Sequence, residues 1–171
     1  MKILQVYHIY PDLFGGVATV CYQLTNELKK MGQEVEVLST HSFINEKTRH
    51  YDDEIIVHRF DLFSNYLYKN NILVPSLNYI KWVKKNIHGY DVIHIHDYRN
   101  IYNLIIMHYA RKYNIPYILQ THGGLPSNGK KKTLKILYDV IFGRTLLSNA
   151  SKILALNKVE VDELNKRIIE K

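Results

Sequence analysis

Lys2-Ile3-Leu4-Gln5-Val6-Tyr7-His8-Ile9 leads through Tyr10-Pro11-Asp12-Leu13-Phe14-Gly15-Gly16-Val17 into a helical pattern. A short apolar run, a turn with adjacent glycines and an amphipathic segment read as the opening strand–turn–helix of a parallel α/β sheet. In the segment after the turn, Val17, Val20, Cys21, Leu24, Leu28 and Met31 recur at three- and four-residue steps and make one apolar stripe. Gly32 then stops the helix.

Working outward, the same alternation repeats. Predicted strands cover residues 2–9, 34–40, 55–60, 91–97, 117–122 and 152–157, several of them near-continuous in Ile, Val and Leu. Such runs suit parallel strands covered on both faces. Between them lie helical stripes. Leu77, Ile80, Val83 and Ile87 form one after Pro75, with Gly89 ending it. Ile101, Leu104, Ile105 and Tyr109 form another, closed by Pro116, and a further helix is expected over about 131–147. The last begins near Lys158, with Asn157 and Glu160 spaced as a capping box and an apolar face of Val161, Leu164 and Ile168. Residues 55–71 read as a third strand followed by a loop or a short helix. Right-handed crossovers then give an α/β fold: a Rossmann-like, doubly wound parallel sheet.

Bulk properties agree with one folded domain. The chain has 171 residues, 46% of them hydrophobic, enough for one sizeable core. Its single cysteine, Cys21, sits in the first helical stripe and is expected to be a buried small side chain. The N-terminal apolar run is too short for a signal peptide, and no stretch reaches the length of a membrane span, so a cytoplasmic protein is expected. The net charge of +7 favours an anionic partner. The basic residues do not interleave with a nucleic-acid motif, and nucleic acid is not an expected partner.

Ligands of an open parallel sheet bind beyond the carboxyl ends of the strands. After the first strand, Gly15 and Gly16 allow a tight turn, and the helix start behind them offers free N–H groups to a phosphate. This is not the dinucleotide fingerprint, because Thr19 stands where a third glycine belongs. The second strand ends Leu38-Ser39-Thr40-His41, and Glu36 lies inside it rather than at its tip, which disfavours a dehydrogenase. After the fourth strand come His94-Ile95-His96-Asp97-Tyr98. His94 and His96 alternate onto one face, with His94 expected inside the sheet and His96 and Asp97 at the tip facing the cleft. Metal ligation by this group is possible chemistry but not the expected one. After the fifth strand, Gln120-Thr121-His122-Gly123-Gly124 puts an imidazole at a strand tip, where it can bond a sugar hydroxyl or a backbone group.

In order and spacing, Pro11-x-x-x-Gly15-Gly16, residues 91–97 and Thr121-His122-Gly123 together resemble the N-terminal domain of glycosyltransferase family 4, over residues 2 to about 170. The resemblance implies a retaining enzyme of GT-B architecture, in which two Rossmann-like domains face a cleft. It implies that Gly15 and Gly16 lie against the donor diphosphate and the acceptor, and that His122 is the active-site histidine. It implies that His96, Asp97, Tyr98, Thr121 and Gly123 belong to the acceptor side, with residues 155–157 near the cleft floor. It further implies a nucleotide-sugar donor, a glycan or lipid-linked acceptor, and no metal or cofactor. The C-terminal, donor-holding domain is not in these 171 residues, so the chain is expected to be a fragment, inactive by itself. The alternative is a non-catalytic module that binds a phosphorylated sugar or lipid.

Two stretches mix lysine with bulky apolar residues. One has Tyr66, Tyr68, Tyr79 and Trp82 near Lys69, Lys81, Lys84 and Lys85; the other has Lys130, Lys131, Lys132 and Lys135 ahead of Ile136, Leu137, Ile141 and Phe142. The expectation is solvated lysines with the apolar residues facing the core. Peripheral contact with an anionic membrane is the alternative.

Overall fold

A computed structural model describes residues 1–10, 15–40, 51–52, 55–64, 66–67, 73–126 and 132–169. The strands are β1 (Lys2–Val6), β2 (Glu34–Thr40), β3 (Tyr51–Asp52), β4 (Ile55–Phe60), β5 (Val92–His96), β6 (Tyr117–Gln120) and β7 (Lys152–Leu154). The helices are α1 (Gly16–Lys30), α2 (Leu77–Asn86), α3 (Ile101–Lys112), α4 (Lys132–Tyr138), α5 (Arg144–Ser148) and α6 (Lys158–Ile169). A π-helical turn, Asp139–Gly143, joins α4 to α5.

The sheet order is β3-β4-β2-β1-β5-β6-β7. Every pairing is parallel except β3 with β4. The six parallel strands thus follow the doubly wound order, and its switch point lies between β1 and β5. The short antiparallel β3 is an addition that the sequence reading did not contain.

Alternation along the strands separates two buried clusters. Leu4, Val6, Leu38, Ile93, Ile95 and Leu119 join the larger one, with α2 and α3 supplying Tyr79, Val83, Tyr102 and Ile106. Val37, Ile55 and Val57 face the other way and pack under Ala18 and Cys21 of α1. Gln5 pairs with Val37 and with His94, and His96 pairs with Gln120. The face opposite the large cluster therefore carries a buried polar stripe across β1, β5 and β6.

Several helices present different residues from those expected. In α1 the fully buried positions are Ala18, Cys21 and Thr25, while Met31 is exposed beyond the helix end. In α2, Leu77 is exposed and Tyr79 takes its place. In α3 the buried face is Tyr102, Asn103, Ile106, Met107 and Ala110, one residue out of phase with the expected stripe. In α2 and α3 a tyrosine, Tyr79 or Tyr102, takes the buried place because it buries more apolar area than Leu or Ile. In α6, Leu164 is buried but Val161 is not. The predicted strands also run long at their carboxyl ends: β1, β5, β6 and β7 stop short of 9, 97, 122 and 157. Left-handed backbone at Asp97 and His122 ends the ladders of β5 and β6.

The lysine-rich stretches divide. Tyr79 is buried and Trp82 packs against the core while Lys81, Lys84 and Lys85 are exposed, as expected; Tyr66, however, is exposed. The expectation fails for the second stretch. Ile136, Leu137, Ile141 and Phe142 are all exposed, as are Leu134 and Val140, because α4 and the π turn lie on the outside of the domain. Pro11–Phe14, His41, Tyr68, Lys69, Lys130 and Lys131 lie outside the described residues. Among the described residues no helix is long and apolar enough to cross a membrane.

Candidate functional site

The carboxyl tips of β1, β5 and β6 are joined by side chains. Gln5, on β1, has its Oε1 2.8 Å from His96 Nε2, and His96 Nδ1 lies 3.0 Å from His122 Nε2. Tyr7, just past β1, sets its ring edge toward His96 with centroids 6.2 Å apart. Asn100, after β5, lies with its Nδ2 3.4 Å from His8 Nδ1. The three tips therefore form one contiguous rim at the switch point.

His94, His96 and His122 stack in sequence, with centroids 4.2 Å and 5.2 Å apart. Parallel stacking is a poor way to converge lone pairs on one ion, and among the described residues no cluster of ligand-type side chains could hold a metal. Burial disfavours the charged form of all three rings. It pushes His94 down to about 4, helped by His122, and holds His96 well below the ordinary histidine range, helped by its two neighbours. Burial also lowers His122, although Asp97 and Glu160 oppose the shift. His94 and His96 share a face within the sheet, as their spacing predicts. His96, however, is 1% exposed, so it supports the rim from within rather than facing an open cleft.

The turn that carries His122 is held in an uncommon shape. His122 has φ 48° and Gly123 φ 77°, consecutive left-handed residues. A non-glycine residue there costs roughly 1–2 kcal/mol, and such outliers cluster at functional sites. Glu160 holds the shape: one carboxylate oxygen accepts from the Thr121 hydroxyl at 2.5 Å and from Gly123 N–H at 2.7 Å. Its other oxygen accepts from Leu156 N–H at 2.8 Å, while Asn157 Oδ1 caps Glu160 N–H at 3.0 Å. The predicted capping box is thus half formed, with the carboxylate diverted to the β6 turn.

Behind that turn, Asp139 of the π segment receives Arg99 at 2.6 Å and Arg167 of α6 at 2.6 Å. The same guanidiniums donate to Leu125 O at 2.8 and 2.6 Å, and Arg99 also donates to Gly124 O. Tyr98 is fully buried between this brace and the core. Its ring lies under Arg99 and against Tyr138, and a Cβ at Gly143 would collide with its hydroxyl. Tyr98 and Thr121, both without exposed surface, therefore shape the rim without lining it. Asp97 accepts from Tyr98 N–H at 2.6 Å and is half-buried beside the turn.

On the β1 side, Gly15 stands at the N-cap of α1 with φ 104° and ψ 155°, a conformation open to glycine, and among the described residues no side chain caps the helix. The amides of Gly16, Val17 and Ala18 precede the first intrahelical bond, Thr19 N–H to Gly15 O. Both glycines are exposed, and, outside their own chain neighbours and helix backbone, no atom of the described residues lies within 4 Å of where a Cβ would stand. Glu36, the one acidic residue a dinucleotide site could have used, is spent elsewhere. It lies toward the amino end of β2, paired with Lys2 at 2.8 Å, His58 at 2.6 Å and Tyr90 at 2.6 Å.

Sequence reasoning named Gly15, Gly16, His96, Asp97 and His122, and the structure brings the last three together beside the end of β1. It missed Gln5, Arg99, Asp139 and Arg167, and it read Glu160 only as a cap. An acidic residue at the third helical position was the one available signal.

The glycosyltransferase family 4 model matches residues 14–170. A search of curated proteins returns no match. Among solved structures, Anabaena Alr3699/HepE in complex with UDP and glucose is 15% identical with a TM-score of 0.57, covering 98% of this chain and 41% of its own. The lipopolysaccharide outer core galactosyltransferase WaaB, in its apo form, is 17% identical with a TM-score of 0.56, covering 99% and 43%. "Trehalose-6-phosphate from E. coli bound with UDP-2-fluoro glucose" is 16% identical with a TM-score of 0.54, covering 96% and 42%. The chain spans about two-fifths of each of these proteins. With its doubly wound sheet, its rim at the switch point and a family match over nearly its whole length, the chain is a GT-B-type Rossmann-like domain and belongs to glycosyltransferase family 4.

Proposed function

We propose that this domain is the acceptor-side half of a retaining glycosyltransferase that moves a sugar from a nucleotide-sugar donor to a glycan or lipid-linked acceptor. The observation that carries the reading is His122, held in a left-handed turn at the β6 tip and linked through His96 to β1. In this reading a second domain holds the nucleotide and closes over the rim, in keeping with the two-fifths share of the structural relatives. The acceptor hydroxyl oxygen bonds to the sugar's anomeric carbon as the bond to the diphosphate oxygen breaks, and the hydroxyl proton passes to that leaving oxygen. In this reading the start of α1, which opens at Gly15 and Gly16, turns its amides and positive dipole end to the diphosphate, and no metal or cofactor is assigned. His122 bonds a hydroxyl of the transferred sugar, with Gly15, Gly16, Asp97 and Gly123 beside it and His96, Tyr98 and Thr121 supporting them.

Half a cleft excludes little water and supplies half the contacts. The 171-residue chain alone is therefore expected to bind UDP-glucose weakly and to show no turnover. Calorimetry checks the first point, and a micromolar Kd contradicts it. For the reading as a whole, the chain extended by a donor-binding domain is assayed for transfer from nucleotide sugars. His122→Ala there lowers kcat by roughly 100-fold, the scale of losing one group at the reacting centre; unchanged kcat removes His122 from the site.

A further inference from the structure

We propose that Gln5 is a positioning residue for His122: its amide oxygen, acting through His96, fixes His122 as the Nε2–H tautomer and leaves Nδ1 as the hydrogen-bond acceptor. The consequence for sugar recognition rests on the reading of His122 given above; the tautomer itself does not.

The argument follows the protons along the chain of contacts. Gln5 is buried in β1, and the atom it turns to His96 is Oε1, 2.8 Å from Nε2. An amide oxygen only accepts, so the proton of that bond sits on His96 Nε2. His96 is neutral, because its ring is 1% exposed and flanked by two further imidazoles. A neutral imidazole has one N–H, so His96 Nδ1 carries a lone pair. The atom facing that lone pair at 3.0 Å is His122 Nε2, which must then be the donor. His122 Nδ1 is left as an acceptor. An acceptor nitrogen receives a hydroxyl proton, whereas the opposite tautomer presents an N–H and selects an oxygen lone pair. A residue two strands away from the β6 tip thereby decides which half of a hydroxyl His122 recognises.

Among the described residues, no other side chain hydrogen-bonds His96 or His122, although the charges of Asp97 and Glu160 also act on His122. Asp97 Oδ1 accepts from Tyr98 N–H, and the Glu160 carboxylate accepts from Thr121, Gly123 and Leu156. Tyr7 meets His96 by its ring edge.

The test is long-range proton–nitrogen NMR on the 171-residue chain with nitrogen-labelled histidine, above pH 7.5 and without ligand. In the unmodified chain, His96 and His122 are each expected as a single Nε2–H form with slowly exchanging ring protons. Gln5→Met removes the acceptor at similar length, and the slowly exchanging ring proton of His122 is expected to disappear. A proton on His122 Nδ1 in the unmodified chain overturns the proposal, as does an unchanged spectrum in a folded Gln5→Met variant. Where Gln5→Met does not fold, Gln5→Asn withdraws the oxygen by one methylene and is held to the same outcome. Because no donor or acceptor is present, failure here leaves the sugar-transfer reading standing, and failure of that reading leaves these spectra unaltered.

Discussion

Glu160 and Arg167, two turns apart on α6, grip opposite ends of the turn that carries His122. Glu160 takes the Thr121 hydroxyl and Gly123 N–H, and Arg167 donates to Leu125 O at 2.6 Å. Helix α6 is thus the support of the β6 tip, although it contributes nothing to the sheet. Glu160→Ala leaves three donors without an acceptor and is expected to destabilise the domain by about 2–3 kcal/mol. Glu160→Gln keeps one acceptor oxygen and is expected to cost about half as much. Denaturant unfolding measures both, and hydrogen exchange at Gly123 should quicken in each. Unfolding midpoints equal to the unmodified chain would show that α6 merely rests on the turn.

The two glycines after His122 answer to different constraints. A Cβ at Gly124 would stand 2.9 Å from Thr121 O, a backbone atom that cannot swing away. Gly123 has open space but φ 77°. Gly124→Ala is therefore expected to cost about 2–3 kcal/mol through overpacking, and Gly123→Ala about 1 kcal/mol through backbone strain. The reverse order of thermal midpoints would mean that the turn relaxes around the added methyl.

Glu36 is a buried anion with three partners. Burial by itself would raise its carboxyl, but Lys2, Tyr90 and His58 outweigh that and hold it at about 2. A depressed carboxyl stabilises the fold fully above its unfolded value near 4.5, and that stability is lost as pH falls toward 2. Glu36→Gln is expected to cost about 2–3 kcal/mol at pH 7 and to flatten the acid limb of stability against pH below 4.5. A variant whose acid limb matches the unmodified chain would place that limb elsewhere.

The imidazole stack gives an earlier limb. His94 is lowered from 6.5 to about 4. Between those values the unfolded chain binds the proton and the folded chain does not, so stability is complete above 6.5 and falls as pH drops toward 4. His94 alone is expected to remove about 3 kcal/mol over this window. His94→Leu should abolish its share, and stability unchanged between pH 6.5 and 4.5 in the unmodified chain would refute the assignment.

Peripheral binding to anionic lipid is a proposal that the exposed apolar residues of α4 and the π turn make testable. Leu137 and Phe142 are 54% and 42% exposed, with Lys132 and Lys135 on the same helix. Sedimentation with anionic vesicles should pull down the chain, and Leu137→Glu with Phe142→Glu should reduce binding at least tenfold, in line with the loss of buried apolar area. Equal binding to neutral and anionic vesicles, or none, would end this reading.

Much of the fold was legible because strands and helices write local periods. The runs at β1, β5 and β6 and the glycine turn before α1 follow from residues adjacent in sequence. The phase of α3 was not legible, since Tyr102 and Ile101 are both apolar and only the edge-to-face contact of Tyr102 with Tyr79, 23 positions away, separates them. The outward-facing α4 escaped for the opposite reason: its pattern matches a core helix, and nothing local says that no sheet lies beneath it.

By itself, then, the sequence determined the alternation of strands and helices, the glycines that open α1 and the placing of His122 just past a strand end, because each is encoded by near neighbours. Tertiary structure alone decided that Gln5 reaches His96, across 91 positions, and that Glu160 reaches Thr121, across 39. Those bonds exist because parallel pairing sets distant strand tips side by side, and a buried carboxylate or amide must find its partners there.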